Sequence, residues 1–464
     1  MTAERFRLAK DGEAVPLHAV AQSDLKEWRE KAPGPWNAWL DTTDFKASEG
    51  AWTNLPGTDG GSEAVLVGLG KSPSLWSLGR LSGQLPAKTY RLDIFEGALD
   101  PDDAVLGWVL GAYRYAAAKA VQKEEAKAQL LWPDGANEKL VTAIAEATYL
   151  VRDLINRPAN DLTTVALGQA ARHLAESHGA GFTEIVGDDL LDAGYPAIHV
   201  VGRASENPPR LIDITWGDET KPKLTIVGKG IVFDTGGLDL KPSSNMRLMK
   251  KDMGGAAHAL GLAHLIMAMG LDVRLRVFVP TAENSVSSRS YRPSDVIDTR
   301  KGITVEVGNT DAEGRLVLSD ALHEAAGERP EVLIDFATLT GAARVALGTE
   351  LPALFCNDDG LAADILEGGL AATDPLWRLP LHEAYRRHLK TPFADISSTG
   401  EVPMGGAITA ALFLERFVEP SCPWAHIDLM AWNSGEQPGR PKGGEAMGMR
   451  GVFSALQKRF GGRS

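Results

Sequence analysis

The chain has 464 residues, 44% of them hydrophobic and 23% charged, which is the profile of a folded globular protein too long for one ordinary core. A formal net charge of -13, with no run of Lys or Arg, disfavours nucleic acid as the main partner. Only two cysteines occur, Cys356 and Cys422, so a disulfide framework and a cysteine-rich zinc site are both excluded.

The polar start, Met-Thr-Ala-Glu-Arg-Phe, lacks the apolar core of a signal peptide. No apolar run reaches the roughly 18 residues of a membrane-spanning helix. A cytoplasmic location with no membrane association is the expectation. Ala64-Val-Leu-Val-Gly68 reads as a short buried strand, and Asp103 to about Gln129 as an Ala-rich helix. A turn follows at Trp132-Pro-Asp-Gly135. Asn137 to Ile155 carries apolar residues at helical spacing and stops at Asn156-Arg-Pro-Ala-Asn160, where Pro158 ends a helix.

Beyond residue 165, strands and helices alternate. The expected strands are Ala197–Val201, Leu211–Trp216, Leu224–Val227, Val273–Val279 and Val332–Phe336; the expected helices are Val165–Ser177, Gly254–Met269, Leu316–Ala326 and Ala407–Phe417. The expected fold class is therefore α/β in two domains. Residues 1–136 form a small N-terminal α/β domain, and 137–160 a connecting helix and turn. Residues 161–464 form a larger domain with a mixed sheet flanked by helices. Ligand sites in such sheets lie beyond the carboxyl ends of the strands.

Three polar clusters occupy that kind of position. Val227 to Pro242 carries Lys229, Asp234 and Lys241 among glycines. It fits neither the dinucleotide fingerprint nor the phosphate loop, and a solvated Gly-rich loop would look the same. Met249-Lys-Lys-Asp-Met-Gly-Gly255 puts Asp252 before a helix, where an Asp can serve as a cap or a ligand. In Asn309-Thr-Asp-Ala-Glu-Gly-Arg-Leu316, an extended segment would send Asp311 and Glu313 to one face, with Leu316 opening a helix. Like charges so placed repel unless a cation joins them, or unless they pair with Arg315. Four carboxylates near strand ends can hold two divalent ions for hydrolysis. His323 and His382 lack the second histidine of the helical zinc motif, and His258 and His264 read as structural. No Gly-x-Ser-x-Gly elbow supports serine hydrolase chemistry.

At these residues the chain resembles the leucyl aminopeptidase, or cytosol aminopeptidase, family of dinuclear-metal peptidases. Asn309 to Leu316 reproduces the family signature, and Asn156–Asn160, Val227–Pro242, Met249–Met253, Asp335–Gly341 and Gly406–Phe413 fit its other blocks in order. The resemblance implies that Lys229, Asp234, Asp252 and Glu313 bind a tightly held metal, and that Asp234, Asp311 and Glu313 bind an exchangeable one, manganese or zinc. It implies Lys241 and Arg315 as catalytic residues, bicarbonate at Arg315, and substrate alignment by Leu339 and Gly341. The reaction it implies is attack of a metal-bridging hydroxide on the first peptide bond of a substrate with a free N-terminus. The assembly it implies is a homohexamer. Against the family pattern, Thr235 stands for the usual Ser, Lys251 for a residue that is often aromatic, and Met430 and Trp432 for small residues. Two other readings use the same residues: a hexameric binding protein with a secondary nucleic-acid role, and a two-metal phosphoesterase.

Overall fold

A computed structural model describes residues 2–58, 61–115 and 127–461. The chain divides into two units, one of residues 1–149 with Ser434–Lys442, the other of Leu150–Asn433 with residues 443–464. The division falls inside the Glu138–Asn156 helix.

The first unit carries a six-stranded sheet in the order Leu8–Ala9, Gln129–Leu131, Thr89–Ile94, Val15–Val20, Ser62–Gly68, Trp52–Pro56. All neighbours are parallel except the last pair. The strand expected at Ala64–Gly68 is present. The helix expected from Asp103 starts at Pro101, where the Asp100 carboxylate accepts the Asp102 N–H, and ends at Ala112. Residues 116–126 of that expectation lie outside the described residues. Gln129 is a correction: it opens a strand, because its N–H and those of its neighbours are taken by a sheet edge.

The second unit holds a nine-stranded mixed sheet. Its order is Trp377–Arg378, Ala353–Cys356, Trp424–Asp428, Val332–Ala337, Lys223–Gly228, Arg274–Asn284, Arg210–Trp216, Gly181–Val186, with Gly230–Asp234 alongside the end of Arg274–Asn284. The four central strands, from Trp424–Asp428 to Arg274–Asn284, are mutually parallel. Every residue of Val332–Ala337 is buried, so helices cover both faces and the strand reads as a continuous apolar run. Leu224, Ile226, Leu333 and Ile334 are fully buried there, each stabilising the core by about 1.5–3 kcal/mol.

Two expectations need correction. Ala197–Val201 is not a strand but the body of the Pro196–Gly202 helix. Pro196 at its first turn suits a helix start, and the buried Asp320 carboxylate accepts the N–H groups of Ala197 and Ile198. Leu316 does not open its helix, which begins at Glu313 and runs to Gly327.

The parallel strands bring three chain segments to one edge. Strand Lys223–Gly228 leads into Lys229, Val332–Ala337 leads into Thr338, and Trp424–Asp428 ends at Asp428. The Gly254–Met269 helix begins against them, its Ala256 N–H bonded to the Lys229 carbonyl at 2.8 Å. A side chain at Gly255 would put its Cβ 2.1 Å from the Phe336 carbonyl oxygen, so only glycine allows that approach.

Candidate metal centre and active site

Lys229, Asp234, Lys241, Asp252, Asp311 and Glu313 line one cavity of about 260 Å³, together with Leu339 and Gly341. Lys229 is buried, with its ammonium 2.8 Å from Asp252 Oδ2 and 2.9 Å from Glu313 Oε1. It also donates to the Thr338 carbonyl at 3.2 Å. Gly314 makes this possible, since a Cβ there would lie 2.4 Å from Lys229 Cε. Lys241 pairs with Asp234 Oδ2 at 2.7 Å and with Asp311.

Each acid reaches the cavity from a different element. Asp234 ends the Gly230–Asp234 strand, and its Oδ1 accepts from Gly236 N–H and Asn284 Nδ2, both at 2.8 Å. Asp252 does not cap the helix that follows; Met253 holds the cap position, and Asp252 Oδ1 accepts the Thr338 hydroxyl at 2.7 Å. Asp311 and Glu313 are not on an extended segment. Asp311 sits in the one-turn helix Thr310–Ala312, its N–H bonded to Asn309 Oδ1, and Glu313 starts the next helix. Both still face the cavity because the chain turns between them.

Arg315 is placed differently. It is buried in the first turn of the Glu313–Gly327 helix but is not part of the cavity wall, and it donates to the Ser398 carbonyl at 2.6 Å. Its Nε is buried with no hydrogen-bond partner, and burial pushes the guanidinium down to about 10 against the pull of Glu313 and Asp428.

The electrostatics call for a cation. Burial first, then the neighbouring carboxylates, raise the pKa of Asp234 and of Asp252 well above the usual carboxylate range. Burial works to lower Lys229, but Asp252, Glu313 and Asp234 outweigh it and hold its proton on. One oxygen from each of Asp234, Asp252 and Glu313 lies within 4.8 Å of the others. Glu313 Oε2 is buried with no hydrogen-bond donor. Asp252 Oδ2 has only its close approach to Lys229, without hydrogen-bond geometry. Oxygens of that number and orientation fit divalent ions.

The description "Cytosol aminopeptidase family, catalytic domain" matches residues 149–453, and "M17 aminopeptidase, N-terminal domain" matches residues 15–133. The chain belongs to the cytosol aminopeptidase family. The probable cytosol aminopeptidase of Syntrophotalea carbinolica is 40% identical over 370 residues, 76% of this chain and 74% of that protein. A solved cytosol aminopeptidase from Coxiella burnetii is 45% identical with a TM-score of 0.94, covering 99% of this chain and 100% of its own. The bottromycin maturation enzyme BotP in complex with Mn is 32% identical with a TM-score of 0.85, covering 97% of this chain and 100% of its own. As a cytosol aminopeptidase family member, the chain is a metal-dependent peptidase of the aminopeptidase class. Among the described residues, no helix is long and apolar enough to cross a membrane.

Several residues that shape the centre carried no signal of their own. Asn284 holds Asp234 Oδ1 and the Thr310 carbonyl. Asp428 accepts the N–H groups of Leu339 and Thr340 and the Thr340 hydroxyl, fixing the loop that lines the cavity. Thr338 lies inside a block that the sequence comparison marked, but only the fold shows its bond to Asp252. Of the unusual residues, Lys251 and Met430 line the cavity, whereas Trp432 is buried outside it.

Proposed function

We propose that the protein releases the first residue from peptides with a free N-terminus, using two divalent ions, manganese or zinc, held at this cavity. The observation that carries the reading is the buried convergence of Asp234, Asp252 and Glu313 with Lys229 at the carboxyl ends of parallel strands. Lys229, Asp234, Asp252 and Glu313 would hold one ion; Asp234, Asp311 and Glu313 the other. Such ions would supply Lewis acidity, making water acidic enough to attack at neutral pH and attracting the substrate's amino group.

The chain's own residues do the rest. Lys241 Nζ, already at the cavity wall, donates to the carbonyl oxygen of the first peptide bond as negative charge grows there. The backbone at Leu339 and Gly341, in the loop that Asp428 holds at Leu339 and Thr340, aligns the substrate's main chain. Arg315 carries a planar fork suited to bicarbonate, which would ferry the proton to the leaving amine. For Arg315 to do so, its guanidinium must exchange the Ser398 carbonyl for the anion. The same reading takes the working assembly as a homohexamer in the cytoplasm.

Unblocked and N-acetylated dipeptides, assayed with manganese and again after chelation, test the proposal. The expected result is release from the unblocked peptides alone, abolished by chelator and restored by metal. Release that ignores the chelator, or equal release from the acetylated peptides, contradicts it.

A further inference from the structure

The cavity holds a cation that neither the metal centre nor the proposed chemistry uses. Lys251 is 5% exposed and lines the cavity, yet its ammonium has no hydrogen bond and no ion pair among the described residues. Burying a cation without a partner is costly. The carboxylates that act on it, Asp252 and Asp428, are committed elsewhere. Asp252 serves Thr338 and Lys229, and Asp428 serves Leu339 and Thr340. A second cation, Arg344, lines the same cavity in an exposed position, its guanidinium 3.9 Å from Met430 Sδ. The cavity lining also includes the apolar side chains of Leu248, Met249, Leu351, Leu429 and Met430.

We infer that Lys251, assisted by Arg344, receives the carboxylate of an acidic first side chain, so that the preferred substrates begin with glutamate or aspartate. The inference rests on the aminopeptidase reading, since that reading neutralises the four acids of the metal centre, which would otherwise repel such a side chain. The apolar lining takes the side-chain methylenes, and the ammonium takes the charge. A pocket meant only for leucine needs no buried ammonium; a leucine or methionine at position 251 would line it without the desolvation cost.

The test compares glutamyl, aspartyl, glutaminyl and leucyl amides on the manganese-loaded full-length enzyme and on Lys251→Met, Lys251→Arg and Arg344→Gln. Glutamine is the uncharged counterpart of glutamate, so the glutamyl-to-glutaminyl ratio of kcat/KM isolates the charge. Calorimetric Kd values for free glutamate and glutamine give a second readout that does not depend on turnover. The expected result is a ratio of about tenfold or more in the wild type, lost mainly through KM in Lys251→Met and kept in Lys251→Arg. Arg344→Gln should lower it less, because that side chain is exposed. Cleavage of leucyl amide without a glutamyl preference, or a ratio unchanged in Lys251→Met, overturns this inference alone. No cleavage of any amide overturns the aminopeptidase reading and this inference with it.

Discussion

Thr338 reaches the centre through two groups: its hydroxyl donates to Asp252, at Oδ1 and at the main-chain carbonyl, and its own carbonyl accepts from Lys229 Nζ. The first can be removed without changing shape. In Thr338→Val, Asp252 Oδ1 loses its donor in a buried place, which should cost about 1–3 kcal/mol of stability in a urea titration. Metal affinity should weaken by about 10–100-fold, because the group that orients a ligand is gone. Unchanged metal affinity would mean that Asp252 does not need this hydroxyl. Lys241 is the matching test of chemistry. Lys241→Met should lower kcat of the metal-loaded enzyme by about 10²–10³-fold with much less effect on KM, as expected when a donor acts on charge that exists only in the transition state. A fall carried by KM instead would reassign Lys241 to ground-state binding.

At the scale of elements, the Gly254–Met269 helix offers a pH test on a residue that is not itself a candidate metal ligand. His258 is fully buried; its Nδ1 donates to the Gly254 carbonyl at 2.6 Å and its Nε2 accepts the Met447 N–H at 2.9 Å. Burial pushes it down to about 4, against the Gly254 bond and Asp374, and a nitrogen that accepts an N–H has no room for a second proton. The unfolded chain takes up that proton near the ordinary value of 6.5. Stability is therefore complete above that pH and falls as the pH drops toward about 4, by up to about 3 kcal/mol. Denaturant midpoints at pH 7 and pH 4.5 should converge more in His258→Gln than in the wild type. An equal acid loss in both would show that His258 does not carry this linkage.

The same elements show what the sequence could convey. The Gly254–Met269 helix was legible to the residue, and the sheet strands at 211–216, 224–227 and 332–336 were found within a residue or two of their ends. Ala197–Val201 failed because a short run of apolar residues suits strand or buried helix alike, and the Asp320 carboxylate that starts the helix is more than a hundred residues away. The strand expected to stop at Val279 continues through Pro280, opposite Leu211, to Asn284. A proline offers no N–H to a ladder, so nothing local marks the strand's continuation, and Asn284, which holds Asp234, lies beyond the expected end. The charged residues of the centre were legible as types and as blocks. The bonds made by Thr338, Asn284 and Asp428 were not, since each joins residues some 50 or more positions apart, even though Thr338 lies within the Asp335–Gly341 block.

For the whole molecule, each part of the proposal depends on one physical condition: the acids at the strand ends must be neutralised by divalent ions. Lys229 pairs with Asp252 and Glu313, and Lys241 with Asp234 and Asp311, so two lysines stand against four acids. Anomalous diffraction from crystals soaked in manganese, with metal content measured on the same preparation, tests this most directly. The expected result is two ions per chain, each against oxygens of Asp234 and Glu313, with both depleted in Glu313→Gln. Full aminopeptidase activity in a protein with no ion at these residues would contradict it.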